Sequence, residues 1–152
     1  MTNVLNYGSD PASPPSKMPW ITILTGIAQI ALGVGLSIKA NADGLSWKTA
    51  AIPAYVGLVF VALGAAAQMP TLRKHLIHAA AGLALLLTLA GFGMGVPKII
   101  QAATGSIPET AANYRPLAWW GQVAMAAIFV VFLFFAIRSF IAAKRWREVH
   151  AA

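Results

Sequence analysis

HLIHAAAGLALLLTLAGFGMGVP, residues His75–Pro97, contains no Asp, Glu, Lys or Arg, and its centre AAAGLALLLTLA (Ala79–Ala90) is apolar on every helical face. A helix that crosses ~30 Å of hydrocarbon needs about 20 consecutive residues of this kind. Strands of a membrane barrel would instead alternate in polarity over ~10-residue segments. The stretch therefore reads as a membrane-spanning helix.

Three more charge-free stretches of comparable length occur, Met18–Ile38, Thr49–Leu72 and Pro116–Ile137. The chain has 59% hydrophobic and 10% charged residues, against roughly 45–50% and about 25% in soluble domains. The sequence thus predicts an all-α integral membrane four-helix bundle, with helices at about 19–38, 51–69, 72–96 and 116–143. Residues 1–17, rich in Gly, Ser, Asp and Pro, read as a disordered tail, and 144–152 as a basic cytoplasmic tail.

Punctuation between the spans is local. Pro19 and Pro53 fall in first helical turns, where a missing N–H costs little. Asp43-Gly44 marks a turn within Lys39–Lys48, and Pro70 closes the second helix, leaving Thr71 as an N-cap for the third. So short a second connection predicts that helices two and three pack as neighbours. Pro97 is expected to end helix three, with Lys98–Thr104 as one or two interfacial turns and Gly105–Pro116 as an exposed loop. Ala40-Asn41-Ala42 has the form of a signal-peptidase site, but the apolar run before it is too long, and its leader too nearly uncharged, for a signal peptide.

The net charge of +7 reflects topology rather than nucleic-acid binding, because the basic residues sit between apolar runs. An inside N-terminus places Lys17, Arg73, Lys74, Arg138, Lys144, Arg145 and Arg147 in the cytoplasm. Lys39, Lys48, Lys98 and Arg115 then lie outside. This bias places both termini in the cytoplasm of a bacterial inner membrane. Arg73, Lys74, Lys144, Arg145 and Arg147 become contacts to anionic headgroups. Trp20 and Trp146 would mark the inner interface, and Trp47, Trp119 and Trp120 the outer one.

Glycine spacing predicts where helices meet. Gly26 and Gly33 lie two turns apart in helix one, and Gly57 and Gly64 repeat the interval in helix two. Small residues so placed let backbones approach closely in lipid, which makes these faces the seam of the first hairpin. Gly91 and Gly95 have small-xxx-small spacing and serve intramolecular packing, self-association or a partner helix. Phe129, Phe132, Phe134, Phe135 and Phe140 make helix four bulky, with much of its surface facing lipid or another subunit.

Few residues suggest chemistry. No span carries an ionisable group near its middle, which weighs against proton-coupled transport. Gln29 and Thr88 are the deepest polar side chains, read first as interhelical hydrogen bonds and second as polar points along a solute path. His75 and His78 lie three residues apart and could face one metal or haem iron, yet no third ligand accompanies them, and a basic interfacial collar is the better reading. The four acids, Asp10, Asp43, Glu109 and Glu148, lie in tails and loops, and there is no cysteine. No catalytic residue, cofactor or metal is expected.

AIPAYVGLVFVALG (Ala51–Gly64), LRKHLIHAAAGLALL (Leu72–Leu86) and AIRSFIAAKR (Ala136–Arg145) together resemble small uncharacterised four-helix membrane proteins of bacteria, planctomycetes and verrucomicrobia among them. The Arg-Lys-His-x-x-His element at Arg73–His78 is the most distinctive part. This resemblance implies class and topology and brings no functional residue. The sequence is thus read as a non-enzymatic membrane module that packs against lipids, a homo-oligomer or a larger complex. The alternatives are an oligomeric small-solute transporter and an accessory subunit of a respiratory or photosynthetic complex.

Overall fold

Pro19 opens helix α1 (Met18–Ala42), where Met18 N–H donates to Ser16 Oγ at 3.2 Å and Pro19 needs no partner of its own. The computed structural model describes residues 16–110 and 115–150, without the side chains of Arg147, Val149 and His150. The expected tail 1–17 falls outside them except for Ser16 and Lys17, as do part of the last loop and residues 151–152. Helix α1 outlasts its apolar stretch by a turn, so the polar link shortens to Asp43–Ser46, with Gly44 at φ 69°. A left-handed backbone at that point suits glycine.

The second span comprises α2 (Trp47–Ala50) and α3 (Ile52–Ala66). Pro53 cannot donate to the carbonyl four residues back, at Thr49, so the helix is interrupted at Ala51 rather than starting there. The span ends at Ala66, and Pro70 does not close it. Pro70 opens α4 (Pro70–Ala103), with Met69 in the extended cap position, so Thr71 lies inside the first turn and is not the cap.

Pro97 does not end the third helix. Helix α4 continues through it to Ala103, and what was expected as separate interfacial turns is the same rod. One lost hydrogen bond to Gly93 costs less than unpairing a whole turn near lipid, where freed backbone groups find no water. At 1.5 Å per residue, α4 is about 51 Å long and overhangs the hydrocarbon core. Helix α5 (Pro116–His150) likewise carries the basic segment from Lys144 as its last turns.

The described residues form no strand, and they contain four helical spans long and apolar enough to cross a membrane. In each span's most apolar window only 28% of residues are buried within the protein. Outward-facing Leu24, Ile27, Leu58, Leu86, Leu89 and Val131 are about half exposed or more. A surface this apolar is suited to lipid.

Two antiparallel hairpins make up the bundle, α1 with α2–α3 and α4 with α5. In the first, a Cβ added at Gly57 would sit 2.5 Å from the Gly26 carbonyl oxygen, and one at Gly64 2.8 Å from that of Pro19. Gly33 lies against the backbone of Ala54. In the second, Gly91 faces the Gln122 carbonyl (2.8 Å) and Gly95 that of Trp119 (3.0 Å). Gly91 and Gly95 therefore serve packing within the chain. Their stripe extends through buried Thr88, Ala84 and Ala80.

The hairpins join chiefly through α1 and α5. Helices two and three are neighbours as expected, but theirs is the loosest edge of the ring, because the glycine faces draw each toward its own hairpin partner. At the end holding the Ala67–Met69 link, the interior is filled by Phe60, Phe129 and Phe132. Phe60 lies 4.8 Å from Phe129 and meets Phe132 edge-on at 5.6 Å. Helix α5 is thus bulky on two faces, since Phe129 and Phe132 form the core while Phe134 and Phe135 point outward.

Gly57→Ala is expected to destabilise the bundle by about 1–3 kcal/mol, as overpacking does. Gly82→Ala, with open space at its Cβ, should stay within about 0.5 kcal/mol. Reversible unfolding in mixed micelles distinguishes the two.

Candidate functional site

The half of the bundle away from the phenylalanine cluster is built of smaller and straighter side chains, and there a cavity of about 630 Å³ separates the hairpins. Leu36 and Ala40 of α1, Ile52 and Pro53 of α3, Leu87, Ala90 and Met94 of α4, and Leu117 and Met125 of α5 give it an apolar wall. Its polar side chains are few. Ser46 and Thr49 stand at the start of the second span, Arg115 just before α5, and Gln122 two turns along α5.

Helix α3 ends and α4 begins at the Ala67–Met69 link, and both line the cavity away from it. Wall residues Ile52 on α3 and Met94 on α4 are 47% and 57% exposed, and Leu45 at the bundle's end is 52% exposed, so the lining reaches the surface both along the α3–α4 edge and at that end. On the opposite edge Leu36 is pressed onto Gly121, whose added Cβ would lie 2.8 Å from Leu36 Cδ1. Glycine at 121 allows α1 and α5 to close that side. Trp119 is 7% exposed and lines the cavity, so the expected outer belt keeps Trp120 but not Trp119. Successive residues of a helix project about 100° apart, and the tryptophan pair had to divide between inside and outside.

Gln29 lies beneath the cavity floor and does not line it. Its side chain is fully buried, and Nε2 donates to the Met125 carbonyl at 3.0 Å, tying α1 to α5. Its Oε1 has no partner. Thr88 makes no interhelical bond. Its hydroxyl donates to the Ala84 carbonyl of its own helix at 2.7 Å, as Thr22, Thr25 and Ser37 do to theirs. The expected solute path through Gln29 and Thr88 is thus not where the cavity lies.

At the other end, His78 Nδ1–H donates to the Lys74 carbonyl at 2.7 Å, and the ring stacks on Phe140 at 4.5 Å. His78 therefore joins α4 to α5. Among the described residues no group of three or more His, Asp or Glu could hold a metal ion. Arg73 Nε donates to the Ala67 carbonyl at 3.3 Å and so caps the preceding span. Lys74, Lys144 and Arg145 are exposed at the same end, with Lys144 3.9 Å from Glu148, and the Arg147 side chain lies outside the described residues.

Arg115 and Gln122 share one site, a pairing absent from the expectations drawn from sequence. The signal was available in part, since Arg115 and Gln122 are seven residues apart and share a helical face. Compared with family models, curated proteins and solved structures, the chain matches none.

Gln29→Leu is expected to lower stability by about 0.6 kcal/mol and by no more than ~2, the range for interhelical hydrogen bonds in membranes. Phe60→Ala should cost about 3–5 kcal/mol. Parallel unfolding measurements of the two variants check the order.

Proposed function

We propose that this chain is a non-enzymatic module of the bacterial inner membrane that holds an apolar guest between its two hairpins. The observation that supports this most is the cavity between the two hairpins, apolar in its walls and with exposed lining along the α3–α4 edge. Its volume lies within the ~300–1,000 Å³ of small-molecule sites, which are mostly apolar with a few placed polar groups.

The polar side chains around the cavity suit binding rather than covalent chemistry. Arg115 offers charge and hydrogen-bond donors, Gln122 an amide, and Ser46 and Thr49 hydroxyls; none of the lining residues is a His, Asp or Glu that could act as base. His75 and His78 belong to the opposite end of the bundle. Four candidate crossings are in keeping with both termini on one side, and the Lys and Arg balance supports the cytoplasm as that side. The cavity then opens toward the periplasmic leaflet.

The glycine faces bear on the alternative, a module that acts by self-association. Gly26, Gly33, Gly57, Gly64, Gly91 and Gly95 are all used within the chain, so a homo-oligomer would have to form through other surfaces.

Native mass spectrometry of protein extracted gently from its own membranes is expected to show a retained small-molecule mass. Ala90→Trp, which fills the cavity from α4, should remove most of that mass while the unfolding midpoint is retained. Identical spectra for the two proteins would count against a guest in this cavity. Co-extraction of fixed stoichiometric subunits would move the reading to a component of a larger assembly.

A further inference from the structure

The arrangement of polarity within the cavity points to the class of guest, and this step rests on the binding function proposed above. Arg115 stands at the rim with Ser46 and Thr49, and the floor is formed by Met125 and Leu87. From Arg115 to Met125 the chain rises about 15 Å along the helix. That is half of the ~30 Å hydrocarbon thickness, the depth of one leaflet. The cavity is therefore charged at interface level, apolar below it, and closed near the midplane, where Gln29 binds the Met125 carbonyl.

Charge at the rim has a single sign among the residues that line the cavity. No carboxylate is among them, and the Arg115 guanidinium makes no hydrogen bond or ion pair with any described residue. Asp43, the acid of the first link, is held by Lys39 at 2.8 Å. An arginine fork without a carboxylate partner, beside two hydroxyls, matches a phosphate or carboxylate.

We infer that the cavity takes an anionic amphiphile from the leaflet at the Arg115 end, entering between α3 and α4. One acyl chain lies along Leu87, Ala90 and Met94, and the phosphate or carboxylate rests on Arg115. Gln122, about 10 Å below Arg115, falls at the depth of a glycerol ester and can donate to its carbonyl. A neutral solute leaves the guanidinium unused, and a water-soluble anion leaves the apolar walls unfilled. The amphiphile satisfies both.

The test uses the full chain in detergent, given phosphatidylglycerol, phosphatidylcholine of the same acyl chains, oleate or inorganic phosphate, with bound species read by native mass spectrometry. Phosphatidylglycerol is expected to be retained about five- to tenfold over phosphatidylcholine, the effect of one well-placed cation. Arg115→Gln should abolish that preference and keep phosphatidylcholine binding unchanged. Lys98→Gln, an exposed charge at the same end, should leave the preference intact. Retention of oleate as well identifies the anionic head and single chain as sufficient, and retention of inorganic phosphate alone overturns the amphiphile.

Equal retention of the two phospholipids, or equal loss of preference in Arg115→Gln and Lys98→Gln, overturns the role of Arg115 and leaves an apolar guest standing. Binding of neither lipid overturns the guest as well. If Arg115→Gln lowers the unfolding midpoint, Arg115→Lys serves instead and should keep part of the preference.

Discussion

Backbone contact between α1 and α3 is the constraint on which the rest of this bundle depends. Lipid tails are as apolar as leucine, so burying side chains against one another yields little in a membrane, and association relies on dispersion between closely fitted surfaces. Gly26, Gly33, Gly57 and Gly64 remove the side chains that would hold the helices apart, and each sits where a Cβ would collide with the partner. The second hairpin repeats the device with Gly91 and Gly95, extended by Ala80 and Ala84. Two stiff pairs result. How they meet is left to larger side chains.

That division explains the asymmetry along the bundle. Near the Ala67–Met69 link, Phe60, Phe129 and Phe132 fill the space between the pairs, with Met18, Ile77 and Ala136 around them. Close packing at that end fixes the spacing of the hairpins. Toward the other end Ala40, Ala90, Gly91, Ala118 and Gly121 stand among the larger facing residues and leave part of the same interval unfilled. Gln29 stands at the boundary. Its bond to the Met125 carbonyl holds α1 to α5 where the aromatic packing stops, and its unpaired Oε1 is the cost of a polar group at that depth.

The spans were legible in the sequence because charged residues are too costly in hydrocarbon to appear by accident, so their spacing alone marks His75–Pro97 and its three counterparts. The glycine pairs were legible for a related reason, since seven-residue spacing places both on one face. What spacing does not reveal is the partner across that face. It leaves Gly91 and Gly95 open among three roles, places Trp119 in a belt with Trp120, and does not divide the phenylalanines of helix four between the core, where Phe129 and Phe132 lie, and the surface, where Phe134 and Phe135 lie. Thr88 was read as an interhelical bond although its hydroxyl has a carbonyl of its own helix within reach. Pro97 was read by its usual effect in water, which the scarcity of alternative partners in lipid reverses. The cavity had only a partial sequence signature, the seven-residue spacing of Arg115 and Gln122, because it is bounded by residues from four separate stretches of the chain.

A cavity in this position follows from the connections. The Ala67–Met69 link joins α3 to α4 at one end, while glycines hold α3 against α1 and, at Gly91 and Gly95, α4 against α5. With α1 and α5 drawn together at Leu36 and Gly121, the α3–α4 edge is the loosest of the ring. In water such a gap would collapse or fill with side chains. In a bilayer the surrounding medium consists of acyl chains of half the membrane's depth, which can enter it without loss of apolar contact. The same packing rule that binds each hairpin so closely therefore leaves a space of about 630 Å³ between them, with Arg115 among the residues that line it.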